Sequence, residues 1–368
     1  MKLAGIIKGI DTIRVRGNTS LEITGITKDS RNVTQGSLFF VTHASSAFIE
    51  DASRRGAGAV VTDGEINEPF GCIVHVGDVM RALGQAASNF YQHPSRKAHV
   101  TGITGTNGKT TITYLIESIF RAAGKEPGVI GTISYRYAGK AFKAANTTPG
   151  ASETNSLLSD MVGSGVSHVI MEVSSHALDQ ARVEGIDFDI AIFTNLTHDH
   201  LDYHGTFENY AAAKRLLFED YLPRSRKKKR YAVMNIDDPS IRDFIIAAPV
   251  TMLSYSTRGF ADACLSAYSE SIDGLTLTIS LPGKEIPIAT PLIGMFNASN
   301  ILAATLSGHA AGISHRAIKE GIERVKGVPG RLERVANDRG ISVFVDYAHT
   351  PDAIKNVLSL LGRLKGGK

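Results

Sequence analysis

Short runs of apolar residues alternate along this chain with segments whose apolar positions recur every three or four residues, which is the alternation of an α/β protein. From residue 1 to about residue 97, β-rich segments at 37–42, 59–62 and 72–76 alternate with helical patterns at 47–55 and 79–91, predicting a small α/β domain. A polar stretch at 92–97 then precedes a larger unit. Its strands, at 98–104, 167–173, 188–195 and 231–235, are near-continuous apolar runs separated by helices, the pattern of a parallel sheet covered on both faces. Between 261 and 289 the period shifts to strict alternation, predicting an appended antiparallel hairpin. Helices at 296–311 and 314–325 follow. One apolar strand at 341–345 and one helix from about Pro351 complete the described pattern, so a third unit has only its beginning here.

Composition narrows this picture. With 368 residues, 43% of them hydrophobic, two or three domains are expected. The formal charge is +4, and the one dense basic run, RSRKKKR at 224–230, falls between a helical pattern and a strand, where a solvated loop is the simplest reading and nucleic-acid binding ranks last. Cys72 and Cys264 stand far apart without partners at metal spacing, so neither a disulfide framework nor a zinc site is implied. No segment is apolar over a length that crosses a bilayer, and a cytoplasmic home without membrane insertion is the expectation.

Chemistry concentrates first at 100–111, VTGITGTNGKTT, where a strand breaks into a glycine turn at the start of a helix. Gly105 and Gly108 allow successive N–H groups to face an anion, Lys109 can reach outer phosphates, and the Thr110 hydroxyl can ligate magnesium. Ile112, Leu115, Ile116 and Ile119 recur at helical spacing, so the helix dipole points at the same anion. Glu172 ends an apolar strand and requires a partner, magnesium beside the phosphates, unless it lies past the strand end in solvent. The segment THDHLDYH at 197–204 suits a metal or phosphate site, or a polar turn, whereas His93 and His309 read as ordinary surface or packing residues. Lys214 is bracketed by Phe207, Tyr210, Leu217 and Phe218 on one helical face. A desolvated amine there could take up carbon dioxide as a carbamate, or the lysine could snorkel from the edge of the face.

The loop G-T-N-G-K-T-T, with NTTPGA at 146–151, EVSSHALDQARV at 172–183 and DYAHTPDA at 346–353, resembles the Mur ligases. Folylpolyglutamate synthetases share the loop but not the other segments as a set. The resemblance implies a UDP-substrate domain at 1–97, a central P-loop ATPase domain at 98–329 and the start of an incomplete C-terminal domain at 330–368. It further implies a monomeric, ADP-producing ligase of peptidoglycan biosynthesis. That enzyme would use ATP and magnesium to add a diamino acid, meso-diaminopimelate or lysine, to UDP-MurNAc-L-Ala-D-Glu through an acyl phosphate. Carried over residue by residue, the nucleotide sites are Gly105, Thr106, Asn107, Gly108, Lys109, Thr110 and Thr111, with Asn300, Arg331 and Asp346 toward base, phosphate and ribose. The substrate sites are Ser30, Asn146, Thr147, Thr148, Ser174, Gln180 and Arg182. Thr110, Glu172, His200 and a carbamylated Lys214 would hold metal, and Lys109, Glu172, His200, Lys214 and Arg331 would form the catalytic set. Segment 39–49 is shorter than the family's usual loop, which leaves His43 outside the site. The family's Asp-Asn-Pro motif is absent, so the expectation is substrate binding without ligation. The rival readings are another ligase of this superfamily, such as a folylpolyglutamate synthetase, and a non-catalytic nucleotide-binding module.

Overall fold

A computed structural model describes residues 1–364; the last four residues of the expected third unit, 365–368, lie outside the described residues. Packing divides the chain into two compact units. The first comprises Met1–Lys97 together with Pro149–Gly163 and His176–Ile186. The stretch expected as a domain at 1–97 is therefore joined by two later segments that sequence order alone places in the ATPase region. Ala151, at the start of the helix Ala151–Gly163, enters the same apolar cluster as Leu38, Val61, Val74 and Leu83. The second unit holds the rest of the chain, and residues 330–364 pack within it: Leu332 and Leu360 close on Ile293.

A five-stranded sheet forms the first unit, in the order Thr12–Gly17, Cys72–Val76, Ala59–Thr62, Leu38–Val41, Ile26–Thr27. Its inner strands are parallel and fully buried, in keeping with their near-continuous apolar runs. The following helix Val79–Phe90 is started by Asp78, whose carboxylate accepts from the N–H groups of Met80 and Arg81.

Eleven strands make up the sheet of the second unit. Its parallel core runs Thr251–Ser256, Tyr231–Asn235, Ile190–Phe193, His99–Thr104, His168–Glu172, Pro127–Ile130. The strand at 99–104 lies between those at 190–193 and 168–172, so the phosphate loop emerges at the carboxyl edge with a strand end on either side, where ligands of open α/β sheets bind. The alternating region is a three-stranded antiparallel meander, Ala263–Ser271, Gly274–Leu281, Lys284–Thr290. A second hairpin, Ser134–Tyr137 with Lys140–Lys143, was not signalled by hydrophobicity, because its outer strand is exposed at every position.

The helix Lys109–Ala122 that follows the phosphate loop is fixed by very close approach to the helix His315–Arg324. A Cβ on Gly321 would meet the Ile119 Cα and lie 2.7 Å from its nitrogen, and the Gly321 carbonyl accepts from Ser118 Oγ at 2.6 Å. Gly321→Ala is expected to cost about 1–3 kcal/mol by forcing these backbones apart; a thermal melt showing an unchanged midpoint would contradict the contact. At the opposite edge of the sheet His99 and His168 stack with centroids 5.3 Å apart, and Phe120 covers His168 at 4.3 Å. Burial, reinforced by the neighbouring His99, lowers the His168 pKa from 6.5 to about 4. The unfolded chain thus takes up this proton below pH 6.5 while the fold resists it, so stability is lost as pH falls from 6.5 toward 4. His168→Gln should lose less stability over that window than the parent, measured by melting at matched pH values.

Candidate active site

The phosphate loop is shaped by its two left-handed glycines and braced from the adjacent strand end. Gly105 (φ +140°) leaves no room for a Cβ against Thr194 Oγ1, and Gly108 (φ +93°) leaves none against Asn300 Oδ1. Asn195 accepts from the Asn107 N–H at 2.9 Å and donates to its carbonyl at 3.1 Å, which also receives the Thr194 hydroxyl at 2.6 Å. Thr106 is locked too. Its hydroxyl contacts the Thr197 carbonyl, the Thr197 N–H and the Tyr210 hydroxyl, at 3.2, 3.0 and 2.9 Å. The loop is therefore braced at several points from outside itself, and it leads into a 14-residue helix whose N-terminal N–H groups suit an anion.

Glu172 lies directly beside it and is not past the strand end in solvent, being 1% exposed. Its Oε2 accepts from Thr110 Oγ1 at 3.1 Å and Thr132 Oγ1 at 2.9 Å, while Oε1 accepts from the Thr132 N–H at 2.9 Å. Thr132 Oγ1 is also 3.1 Å from Thr147 Oγ1. A chain of hydroxyls and one carboxylate thus runs from the phosphate loop to the NTT segment. Among the described residues no group of three or more His, Cys, Asp or Glu could hold a metal alone. A hydroxyl and one buried carboxylate do suit magnesium, which binds through one or two protein oxygens and completes its shell with phosphate and water.

Lys109 and Lys214 both donate to the Gly105 carbonyl, at 2.8 and 2.9 Å, and Lys109 also donates to the Thr106 carbonyl at 2.8 Å. Lys214 is 2% exposed, its Nζ 4.5 Å from the centre of the Tyr210 ring, so it does not snorkel. Burial, and then the like charge of Lys109, hold its pKa well below the usual 10.5. Burial likewise lowers Lys109, opposed by the charge of Glu172.

The structure sorts the remaining expected residues. Lys109, Thr110, Thr147, Glu172, Ser174, His200, Arg331 and Asp346 line one cleft, and Thr111, Asn300, Arg331 and Asp346 line its neighbour. Arg331 Nη2 donates to Thr110 Oγ1 at 3.2 Å. The Asp346 carboxylate is fixed by the N–H groups of Leu332 and Ala348 at 2.6 and 2.7 Å. Asn300 donates to Asn297 Oδ1 at 3.1 Å, and Asn297 to the Ile293 carbonyl at 2.8 Å. Of the three histidines at 197–204, His198 packs on Phe207 and His204 on Tyr210, and His200 faces the cleft beside Asp199. Thr148 is buried beneath the cleft, its hydroxyl joining the Glu172 carbonyl and the Ser174 N–H at 2.8 and 3.1 Å, so it supports the site from below. Asn146 is exposed and its carbonyl receives the Tyr135 hydroxyl at 2.7 Å. Ser30, Gln180 and Arg182 belong to the first unit. There Ser30 is buried with its hydroxyl on Asp51, and the Arg182 guanidinium donates to Gln180 Oε1 at 3.0 and 2.6 Å.

The pattern of the Mur ligase middle domain matches residues 103–308, and that of the Mur ligase glutamate ligase domain matches 330–368. The chain belongs to the Mur ligase family. Among its relatives, the UDP-N-acetylmuramoyl-L-alanyl-D-glutamate--2,6-diaminopimelate ligase of Geobacter sulfurreducens is 44% identical over 100% of this chain and 74% of its own length. The enzyme of the same name from Geobacillus thermodenitrificans is 40% identical, covering 97% of this chain and 74% of the relative. A solved structure of an enzyme of that name superposes with a TM-score of 0.85 at 30% identity, over 99% of this chain and 74% of that one. MurF from Acinetobacter baumannii, at 19% identity over 99% of this chain and 76% of its own, shares the fold with a TM-score of 0.68.

Thr132 escaped the motif reading of this Mur ligase, although a signal exists. Val129-Ile130-Gly131-Thr132 repeats the apolar-strand, glycine, threonine order of the phosphate loop itself, and a Cβ on Gly131 would lie 2.5 Å from Glu172 Oε1. Thr132→Val leaves the Glu172 carboxylate short of one donor, and should weaken magnesium-dependent ATP binding by about tenfold, near the worth of one charged hydrogen bond. Thr132→Ser should restore it in calorimetric titration; equal losses in both variants would assign Thr132 to packing alone.

Proposed function

We propose that this Mur ligase joins 2,6-diaminopimelate to the D-glutamyl carboxylate of UDP-MurNAc-L-Ala-D-Glu, with ATP cleaved to ADP and phosphate. The observation that carries the reading is the hydroxyl–carboxylate chain Thr110–Glu172–Thr132–Thr147, because it connects a phosphate-binding loop to a segment fit to bind an acyl substrate. The choice of diaminopimelate over lysine is supported by the names of the relatives. A cytoplasmic location agrees with a nucleotide-linked substrate; no described helix is long and apolar enough to cross a membrane.

The D-glutamyl γ-carboxylate attacks the γ-phosphorus of ATP, the bond to the β-phosphate oxygen breaks, and an acyl phosphate and ADP result. The amine of the diamino acid then adds to the acyl carbon and phosphate leaves. Lys109 and the helix N-terminus bind the transferring phosphate, where positioning and charge neutralisation supply most of the acceleration. Arg331 reaches Thr110 and would add its charge to the same oxygens. Magnesium, held by Thr110 and Glu172, would supply Lewis-acid neutralisation of the phosphate oxygens. His200 and Ser174 border the cleft beside Glu172, where His200 would serve the ATP and magnesium and Ser174 the muramoyl dipeptide. Asn300 and Asp346 line the neighbouring cleft and would meet the nucleoside, and Ser30, Gln180 and Arg182 supply hydroxyl, amide and guanidinium groups apt for the muramoyl nucleotide.

Lys214 is the site at which carbamylation is proposed. Its lowered pKa leaves the nitrogen lone pair free, and addition of that neutral amine to carbon dioxide with loss of a proton would place a balancing anion next to Lys109. After equilibration with carbon-13 bicarbonate, the chain should give a carbamate carbon resonance that is missing from Lys214→Arg; its persistence in the variant would place the modification elsewhere.

Titration with UDP-MurNAc-L-Ala-D-Glu and separately with magnesium and ATP should give binding to both, and Lys109→Ala should abolish only the second. Folded protein that ignores the muramoyl nucleotide would remove this substrate assignment. Release of phosphate that depends on diaminopimelate and not on lysine would fix the acceptor, and would overturn the expectation of binding without ligation that the missing Asp-Asn-Pro motif raised.

A further inference from the structure

At the amino edge of the large sheet, away from the nucleotide cleft, two loops lie side by side. Segment 224–230 leads into the strand Tyr231–Asn235, and segment 244–250 leads into its parallel neighbour Thr251–Ser256; the Thr251 N–H donates to the Arg230 carbonyl at 2.9 Å. The first loop carries six of the chain's 40 Lys and Arg, and the other 34 are outnumbered by 36 Asp and Glu, so the positive charge of the molecule resides here. The loop is built and not slack. Ser225 Oγ donates to the Phe188 carbonyl at 2.7 Å, Asp187 accepts from the Arg226 N–H at 2.7 Å, and Arg230 Nη1 donates to the Pro223 and Ser225 carbonyls at 2.7 and 2.9 Å. Lys227 turns inward to Asp189 at 2.9 Å and to the Ala98 carbonyl. Two of the six cations are thereby spent on anchoring, and Arg224 pairs with Asp220 at 2.7 Å. Arg226, Lys228 and Lys229 remain exposed, with no ion pair among the described residues.

The neighbouring loop is apolar at its tip. Phe244 folds back onto Phe193 and Phe218, with ring centroids 4.6 and 5.4 Å apart, and the Ile245 N–H is held by Glu219 at 3.1 Å. Beyond that anchor Ile245 to Val250 contains no polar side chain; Ile245 is 70% exposed, and Ala247, Ala248 and Pro249 are exposed with it.

We propose that this edge docks on an anionic lipid surface. Three outward cations beside a projecting aliphatic tip supply the two weak signals, electrostatic and hydrophobic, that together hold a protein at a bilayer interface without insertion. A nucleic acid fits less well, because the aromatic ring of the pair of loops is turned inward and no platform remains for stacking bases. The cleft, at the carboxyl edge of the same sheet, stays open to solvent in this arrangement.

Flotation of the full chain with vesicles tests this. Vesicles of phosphatidylcholine containing phosphatidylglycerol should carry the protein, pure phosphatidylcholine should not, and added salt should release it. Lys228→Glu with Lys229→Glu should lower partitioning on the order of twentyfold or more, given about fivefold for each basic residue near such a surface. Ile245→Asp should lower it roughly tenfold by removing a buried aliphatic group. Both variants should keep the parent's affinity for magnesium and ATP, which shows that they are folded and separates this proposal from the ligase assignment. Failure of the phosphatidylglycerol vesicles to carry the parent protein, or equal carriage of the variants, would overturn it. Retention of the parent on immobilised polyglutamate or on DNA without any vesicle binding would also overturn it, assigning the patch to an acidic protein or to a nucleic acid respectively.

Discussion

A carboxylate placed at the end of a buried strand dictates much of what surrounds it. Glu172 cannot be left without donors at that depth, since an unpaired buried charge would cost far more than the fold can bear. Its needs account for a glycine at 131, where any side chain would strike it, for the hydroxyl and N–H of Thr132, and for Thr110 facing back toward it from the first turn of the phosphate-loop helix. Thr148 then fixes the backbone at the same strand end. The groups that satisfy the carboxylate in the resting protein are oxygens and amides, which are the partners a hard cation and phosphate would share with it. Stability of the strand end and competence of the site therefore have one cause.

The sheet supplies the second organising element by giving the unit two chemically unlike edges. At the carboxyl edge are glycine turns, threonines and the acidic and basic groups of the cleft; at the amino edge are stacked histidines, anchored lysine and the basic and aliphatic loops. A parallel sheet makes this separation unavoidable, because every strand starts at one edge and finishes at the other. The helix Lys109–Ala122 joins the two, carrying Thr110 at one end and Phe120, which covers His168, at the other.

Much of this was legible in the chain. The buried strands announced themselves as apolar runs, and 59–62, 72–76 and 231–235 coincide with the elements observed. The phosphate loop, Glu172 and the helical face of Lys214 could be read because each depends on local spacing. What could not be read depends on contacts far apart in sequence. Nothing local marks Ala151–Gly163 as packing with the first unit, and the glycine–threonine step at 131–132 does not by itself name Glu172, 40 positions later, as its partner. Spacing alone also could not sort His198, His200 and His204, which differ only in the ring or carboxylate each one meets after folding. The exposed hairpin at 134–143 was silent for a different reason: an edge strand with a solvated face has no apolar signature.

Two lysine amines converge on a single carbonyl oxygen at Gly105, and both are shifted toward neutrality by burial. Hydrogen bonding to one shared acceptor offsets only part of that crowding. An incoming polyanion would give both amines a second acceptor and relieve that crowding. Affinity for phosphate is in this sense a consequence of seating two amines around one backbone oxygen.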